Sequence, residues 1–220
     1  MTHLGRVALL VVWLAGCASG PAPPDWQGNA STAVEGAVQA VLVGDSRLEA
    51  QEFERARAQL ARTGRPDLLA RAELMRCAAQ TASLMFEPCA GFEALRRDAA
   101  APEVAYADHL AGKKLPADAI ALLPAAQRGV ATSVASGTAP GGLPAIDDPQ
   151  SRLTAIALLF RAGQASPAAI AMAADTASAQ GWRRPLLAWL NVQAQLAERA
   201  GAADEAQRLR RRIALVQDTR

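Results

Sequence analysis

Few side chains in this 220-residue chain carry chemistry of their own, and most of them stand alone. Cys17 closes an apolar run, Cys77 and Cys89 lie twelve positions apart, and beyond position 3 the one histidine is His109. No Cys-x-x-Cys spacing lowers a thiol pKa, and no His/Cys cluster has metal-ligand spacing, so neither a cofactor nor a metal is expected. His109 follows Tyr106 by three residues on a helical stretch, without a nucleophile motif nearby, and reads as a structural residue, exposed or hydrogen-bonded. A Gly-x-Ser-x-Gly elbow and a glycine-rich phosphate loop are both missing. Glu73 and Glu87 are the two carboxylates that could act on a glycan, which requires a defined separation between them. Asp147-Asp148 precedes Pro149 and is explained by helix capping. No catalytic residue is therefore assigned.

The residues before Cys17 have the order of an export signal: Arg6, then the apolar stretch Val7 to Trp13, then small residues. The stretch is too short to span a bilayer, which takes roughly 20 apolar residues. Leu14-Ala15-Gly16-Cys17 resembles the lipobox of bacterial lipoproteins. That resemblance implies removal of residues 1–16, a thioether diacylglycerol on Cys17 and often a further acyl chain on its amino group. Two or three chains anchor firmly, at about 0.8 kcal/mol per buried CH₂. Ala18 and Ser19, where an aspartate would retain the protein at the inner membrane, imply the outer membrane facing the periplasm. The implied compartment lets disulfides persist. Cys77 sits in a helical run and Glu87-Pro88 turns the chain, so Cys89 can fold back to pair with it; two unpaired buried thiols are the alternative.

Without Arg6 the basic and acidic side chains number 22 and 21, too even for a nucleic-acid surface. Aromatic residues make up 4% of the chain and alanine is abundant, which points to close helix packing rather than an aromatic-lined ligand cavity. Residues 17–30, with Gly20-Pro21-Ala22-Pro23-Pro24, read as a stiff tether, in which Trp26 is a packing contact or an interfacial anchor.

From Thr32 the pattern repeats: a cap, an amphipathic run, and a Gly or Pro stop. Thr32-Ala33-Val34-Glu35 and Ser46-Arg47-Leu48-Glu49 are capping boxes, and Pro66 opens a third run with Leu69, Ala72, Met75 and Ala79 inward. A short helix is expected over Ala90 to Arg97, another from Pro102, and one from Pro116 that Pro124 breaks before Ala125 to Ser136. Residues 137–149 form a long irregular loop, read as a linker between a helical subdomain at 31–136 and a second at 150–220. Asp148-Pro149 and Ser166-Pro167 cap two more helices. Pro185 opens the longest, with the stripes Leu186-Leu190-Ala194-Ala197 and Trp189-Val192-Leu196-Ala200. Two stripes imply packing on two sides, as in stacked hairpins. On the last helix, Ala206, Leu209, Ile213 and Val216 face inward, and the Arg208 to Arg212 run reads as a solvated face.

Residues 187–217 resemble one tetratricopeptide hairpin, with Ala194 at the small site, Gly201 at the turn and Glu205-Ala206 early in the second helix. The large aromatics usual in that motif are absent. The fold expected is all-α, built of stacked antiparallel helical hairpins as a tetratricopeptide-like solenoid or an irregular bundle. The family's habit of binding polypeptide segments, joined to the anchor, implies a non-catalytic envelope adaptor or assembly accessory with a protein partner. A small peptidoglycan-acting enzyme and a lipoprotein inhibitor or chaperone are the alternatives.

Overall fold

The computed structural model describes residues 24–138 and 143–218, so the lipobox, Cys17 and the first half of the expected tether lie outside the described residues. Eleven α-helices and two 3₁₀ turns, with no strand, make up the described chain. They are α1 (Asp25–Val43), α2 (Ser46–Ala61), α3 (Pro66–Ala82), α4 (Ala90–Glu93), α5 (Ala101–Leu110), α6 (Ala117–Leu122), α7 (Ala125–Ser136), α8 (Pro149–Arg161), α9 (Pro167–Ala179), α10 (Arg183–Arg199) and α11 (Ala203–Asp218).

Several ends differ from the expected ones, each for a local reason. Helix α1 begins at Asp25, so the Thr32 box lies inside it and residues 25–30 belong to the domain, not the tether. Asp25 sits in the first turn, where a carboxylate favours the helix dipole, and Trp26 packs its ring against the main core, the first of its two expected roles. Asp45, not Ser46, caps α2, its carboxylate accepting from the Leu48 amide at 2.9 Å. The stretch expected as one short helix at 90–97 is α4 followed by a 3₁₀ turn at Arg96–Asp98. Helix α10 starts two residues before Pro185, and α1, with 19 residues against 17, is the longer. The predicted break at Pro124, and the caps at Asp148 (accepting from Ser151 N) and Ser166 (accepting from Ala169 N), are as expected.

Alanine sets the packing. Helices α1 and α2 pack closely as a hairpin, and Ala33, Ala37, Ala40 and Ala56 on them are all buried. Gly36 belongs to the same seam, since a Cβ there would press on Glu52 Cγ at 3.2 Å. Small side chains bring axes near enough for dense contact. Helix α3 is the hub and touches α1, α2, α5 and α8. From α8 the chain stacks α9, α10 and α11 in turn, and α10 returns to pack on α1. The circuit α1–α3–α8–α9–α10 is thus closed, as in a bundle, and α11 rests on α10 with Ala206 and Leu209 buried.

One apolar core runs through both stretches flanking the 137–149 loop, joining Val34, Leu42 and Phe53 to Leu153, Leu159, Trp189 and Leu209. The two expected subdomains therefore share a core. Polar bonds cross the same divide: Trp189 Nε1 donates to Ala82 O at 3.2 Å, Trp182 Nε1 to Gln39 Oε1 at 3.2 Å, and Thr154 Oγ1 to Ala78 O at 3.2 Å. Each satisfies a polar atom that burial would otherwise leave costly.

Candidate functional site

Cys77 of α3 and Cys89, just before α4, stand at disulfide distance, with Cα atoms 5.9 Å apart. A bridge closing so short a loop contributes about 3 kcal/mol in the chain-entropy model. It pins the irregular stretch after α3 to the hub helix, in a satellite core with Phe92, Ala107 and Leu110.

His109 is buried, as a structural role allows, and its Nε2 meets Gln127 Oε1 at 3.3 Å while Gln127 Nε2 donates to Ser151 O at 2.9 Å. The chain α5–α7–α8 is tied by this relay. Burial lowers the His109 pKa to about 4, against a partial opposing effect of the Gln127 bond. A histidine neutral in the fold but protonated in the unfolded chain makes stability fall with pH. The contribution is intact above the unfolded pKa of about 6.5, erodes below it and is lost by about pH 4, amounting to some 3 kcal/mol. Urea unfolding at pH 7 and pH 4.5 measures this. The wild type should lose markedly more stability than His109→Gln across that interval, and equal losses would contradict the assignment.

Glu73 does not face solvent. Its Oε1 accepts from Arg57 Nη1 at 2.8 Å and its Oε2 from Arg76 Nη2 at 2.9 Å. A Cβ at Gly91 would land on its carboxyl group, so α4 closes the remaining side. Glu87 is exposed, on the turn before Cys89. Of the two carboxylates considered for glycan chemistry, one is thus locked between arginines in the interior. Asp148 is occupied as a cap. In the arginine run, Arg208 pairs with Glu205 and Arg210 with Glu198 on the surface. Among the described residues no group of three or more His, Cys, Asp or Glu could hold a metal, and no helix is long and apolar enough to cross a membrane.

The distinctive surface lies on the outer side of α3, where sequence periodicity placed Met75 inward. Met75 is instead 41% exposed, because Ala72 and Ala79 take the core positions and Met75 is left between two apolar clefts. One, of about 220 Å³, lies between α1, α2 and α3 and is lined by Trp26, Leu60 and Leu68. The other, of about 370 Å³, lies between α3, α5 and the α6–α7 corner, with Leu74, Tyr106, Leu122 and Pro124 in its walls. Arg71 and Met75 line both. Leu122 is 43% exposed at the rim. Tyr106 puts an aromatic ring in the wall of the larger cleft, and burial raises its phenol pKa, so the hydroxyl stays protonated.

One carboxylate marks the larger cleft. Glu103, at the first turn of α5, is 8% exposed and receives both Arg71 bonds, at 3.1 and 2.6 Å, on the single oxygen Oε1. Its Oε2 is buried without a hydrogen-bond partner. Sequence reasoning missed this surface; the signal available was that α3 is apolar on more sides than one neighbour needs, with Leu68, Leu69, Leu74 and Met75 spread around it.

A third concavity, of about 400 Å³, lies over α10 between α9 and α11, where Leu196 is exposed between Asp175 and Arg212. Helices α10 and α11 form a hairpin over the stretch at 187–217, with Ala194 and Ala206 buried and Gly201 left-handed at the turn. Comparison with known proteins finds no match: no family model, no curated protein and no solved structure aligns with this chain.

Proposed function

We propose that this chain is an exported, lipid-anchored protein of the bacterial envelope, facing the periplasm from the outer membrane, that acts without catalysis by holding a protein partner near the bilayer. The observation that carries the reading is the pair of apolar clefts meeting at exposed Met75. Exposed large apolar side chains gathered in one concave region mark interaction surfaces on otherwise polar proteins. The anchor rests on Leu14 to Cys17, and the closed helical body supplies a rigid support on which such a surface keeps its shape.

Two measurements on natively expressed protein test it. Cys17→Ala should abolish lipid labelling and shift the protein out of the membrane fraction; unchanged fractionation would remove the anchor. Crosslinking in intact envelopes, followed by purification, should recover a protein partner of defined stoichiometry. Recovery of none would sink the adaptor.

A further inference from the structure

We propose that the face around the smaller cleft, where α1 begins, docks on the phospholipid surface that holds Cys17, setting the domain on the bilayer in one orientation and leaving the larger cleft to the protein partner. The inference rests on the lipid anchor of the preceding reading.

Chain length selects the occupant. Trp26, in the first turn of α1, lines the smaller cleft and stands two residues after Pro24, where the described chain starts. Cys17 and Pro24 are seven positions apart, a reach of at most roughly 25 Å at about 3.3–3.6 Å per residue. The opposite end of α1, where Val43 and Leu48 are also exposed, lies a helix length away, 19 residues or about 28 Å. Standing the domain on that end would lift Pro24 beyond the reach of its anchor. A leash this short instead holds the smaller cleft beside the bilayer at high effective concentration.

The face has the composition that a bilayer interface favours. Trp26 of α1, Leu60 at the end of α2, and Leu68 and Met75 of α3 surround the cleft. Trp26 is half-buried and packs in part on the core, and an indole at the boundary between apolar and polar layers sits where such rings are most favourable in membranes. Exposed Met75 adds apolar surface that gains by leaving water. Arg71, also in the cleft wall, has a long apolar stem that can lie along the lipid while its guanidinium stays among the phosphates. The charges of this end are balanced: Arg65 pairs with Asp67, Arg71 pairs with Glu103, and Arg62 and Asp25 are exposed with one charge of each sign. A rim of mixed sign matches zwitterionic headgroups, where a phosphate and an ammonium lie side by side, whereas a site for anionic lipid would carry cations in excess.

The test uses the natively expressed full chain, purified in detergent and reconstituted into vesicles of phosphatidylethanolamine and phosphatidylcholine, the latter brominated high on its acyl chains so that it quenches indole fluorescence on contact. Flotation reads the anchor and quenching reads the docking. The vesicles should float the protein and quench part of its emission, and Trp26→Phe should remove the quenched part, since Trp182 and Trp189 are buried. Met75→Glu, a change at an exposed position that spares the core, should cut the quenched fraction by about half or more, because a charge in the apolar layer opposes docking. Leu196→Glu, at an exposed position on α10, should leave it unchanged. Flotation without quenching, quenching that survives Trp26→Phe, or indifference to Met75→Glu would each overturn the docking while the anchor stands. Failure to float would remove the anchor, and the docking with it. Loss of partner crosslinking in the Met75→Glu envelope, with no quenching by pure lipid, would give the face to the protein and overturn the lipid occupant.

Discussion

Replacing Trp189 by alanine should destabilise the protein by about 3–5 kcal/mol, the range for emptying a buried aromatic site. Trp189 is fully buried where α3, α8 and α10 meet. Its ring meets Phe160 edge-on at a centroid distance of 5.6 Å, and its Nε1 donates to Ala82 O at the end of α3. Alanine would remove the ring, open a cavity and strand the Ala82 carbonyl. Because this side chain bridges the helices before and after the 137–149 loop, the loss should appear as one cooperative transition at lower urea, read by far-ultraviolet circular dichroism. A biphasic curve in wild type, with the second half unfolding separately, would show instead that the shared core does not couple them. Trp189→Phe should retain most of the packing and lose about 1–3 kcal/mol, the penalty for the unbonded carbonyl.

The second large effect is expected at Glu73. Removing one partner of a buried ionic cluster costs about 3–5 kcal/mol, since the remaining charges keep their burial and lose their compensation. Glu73→Ala would leave Arg57 and Arg76 facing each other across the space it vacates, with Arg76 held over the Phe53 ring at 4.4 Å and its Nη1 3.7 Å from Glu49 Oε1. Arg57 is the more exposed of the two and can turn to solvent, which places the result toward the lower end. The decisive comparison is thermal unfolding of Glu73→Ala beside Glu87→Ala. The exposed Glu87 change should be nearly silent while the Glu73 change lowers the midpoint by many degrees. Two variants of unchanged stability, with release of product from cell-wall sacculi lost in the Glu73 variant, would instead make Glu73 a catalytic group.

The contrast between Glu73 and Glu87 illustrates what a sequence carries and what it does not. Both are glutamates on or beside an amphipathic run, and nothing within a few positions of either tells that Arg57, sixteen residues earlier, reaches Glu73. Met75 is the same case with the opposite outcome. It sits at helical spacing from Ala72 and Ala79, so periodicity placed it inward, and the crossing of α3 over its neighbours leaves it outside. Glu103 stands in the first turn of α5, an ordinary place for a carboxylate. Only the approach of α3 brings Arg71, 32 residues away, onto one of its oxygens and leaves the other bare.

The helices themselves were legible, because what starts and stops them is local. Pro66, Pro124, Asp148 and Ser166 act through φ restriction or a side-chain bond to an amide three residues on, interactions complete within one turn. At α2 the difference is one residue, because Asp45 and Ser46 are adjacent candidate caps, whereas α1 and α10 begin at Asp25 and Arg183, ahead of the expected Thr32 and Pro185, with no side-chain cap at either start. The Cys77–Cys89 proximity was legible too, since a helix, a proline turn and twelve residues of separation leave little freedom. The sequence by itself determined an all-helical chain and where most of its helices break. The tertiary structure decided that one core unites both stretches and that α3 turns an apolar face outward, because those depend on which distant helices meet and at what angle.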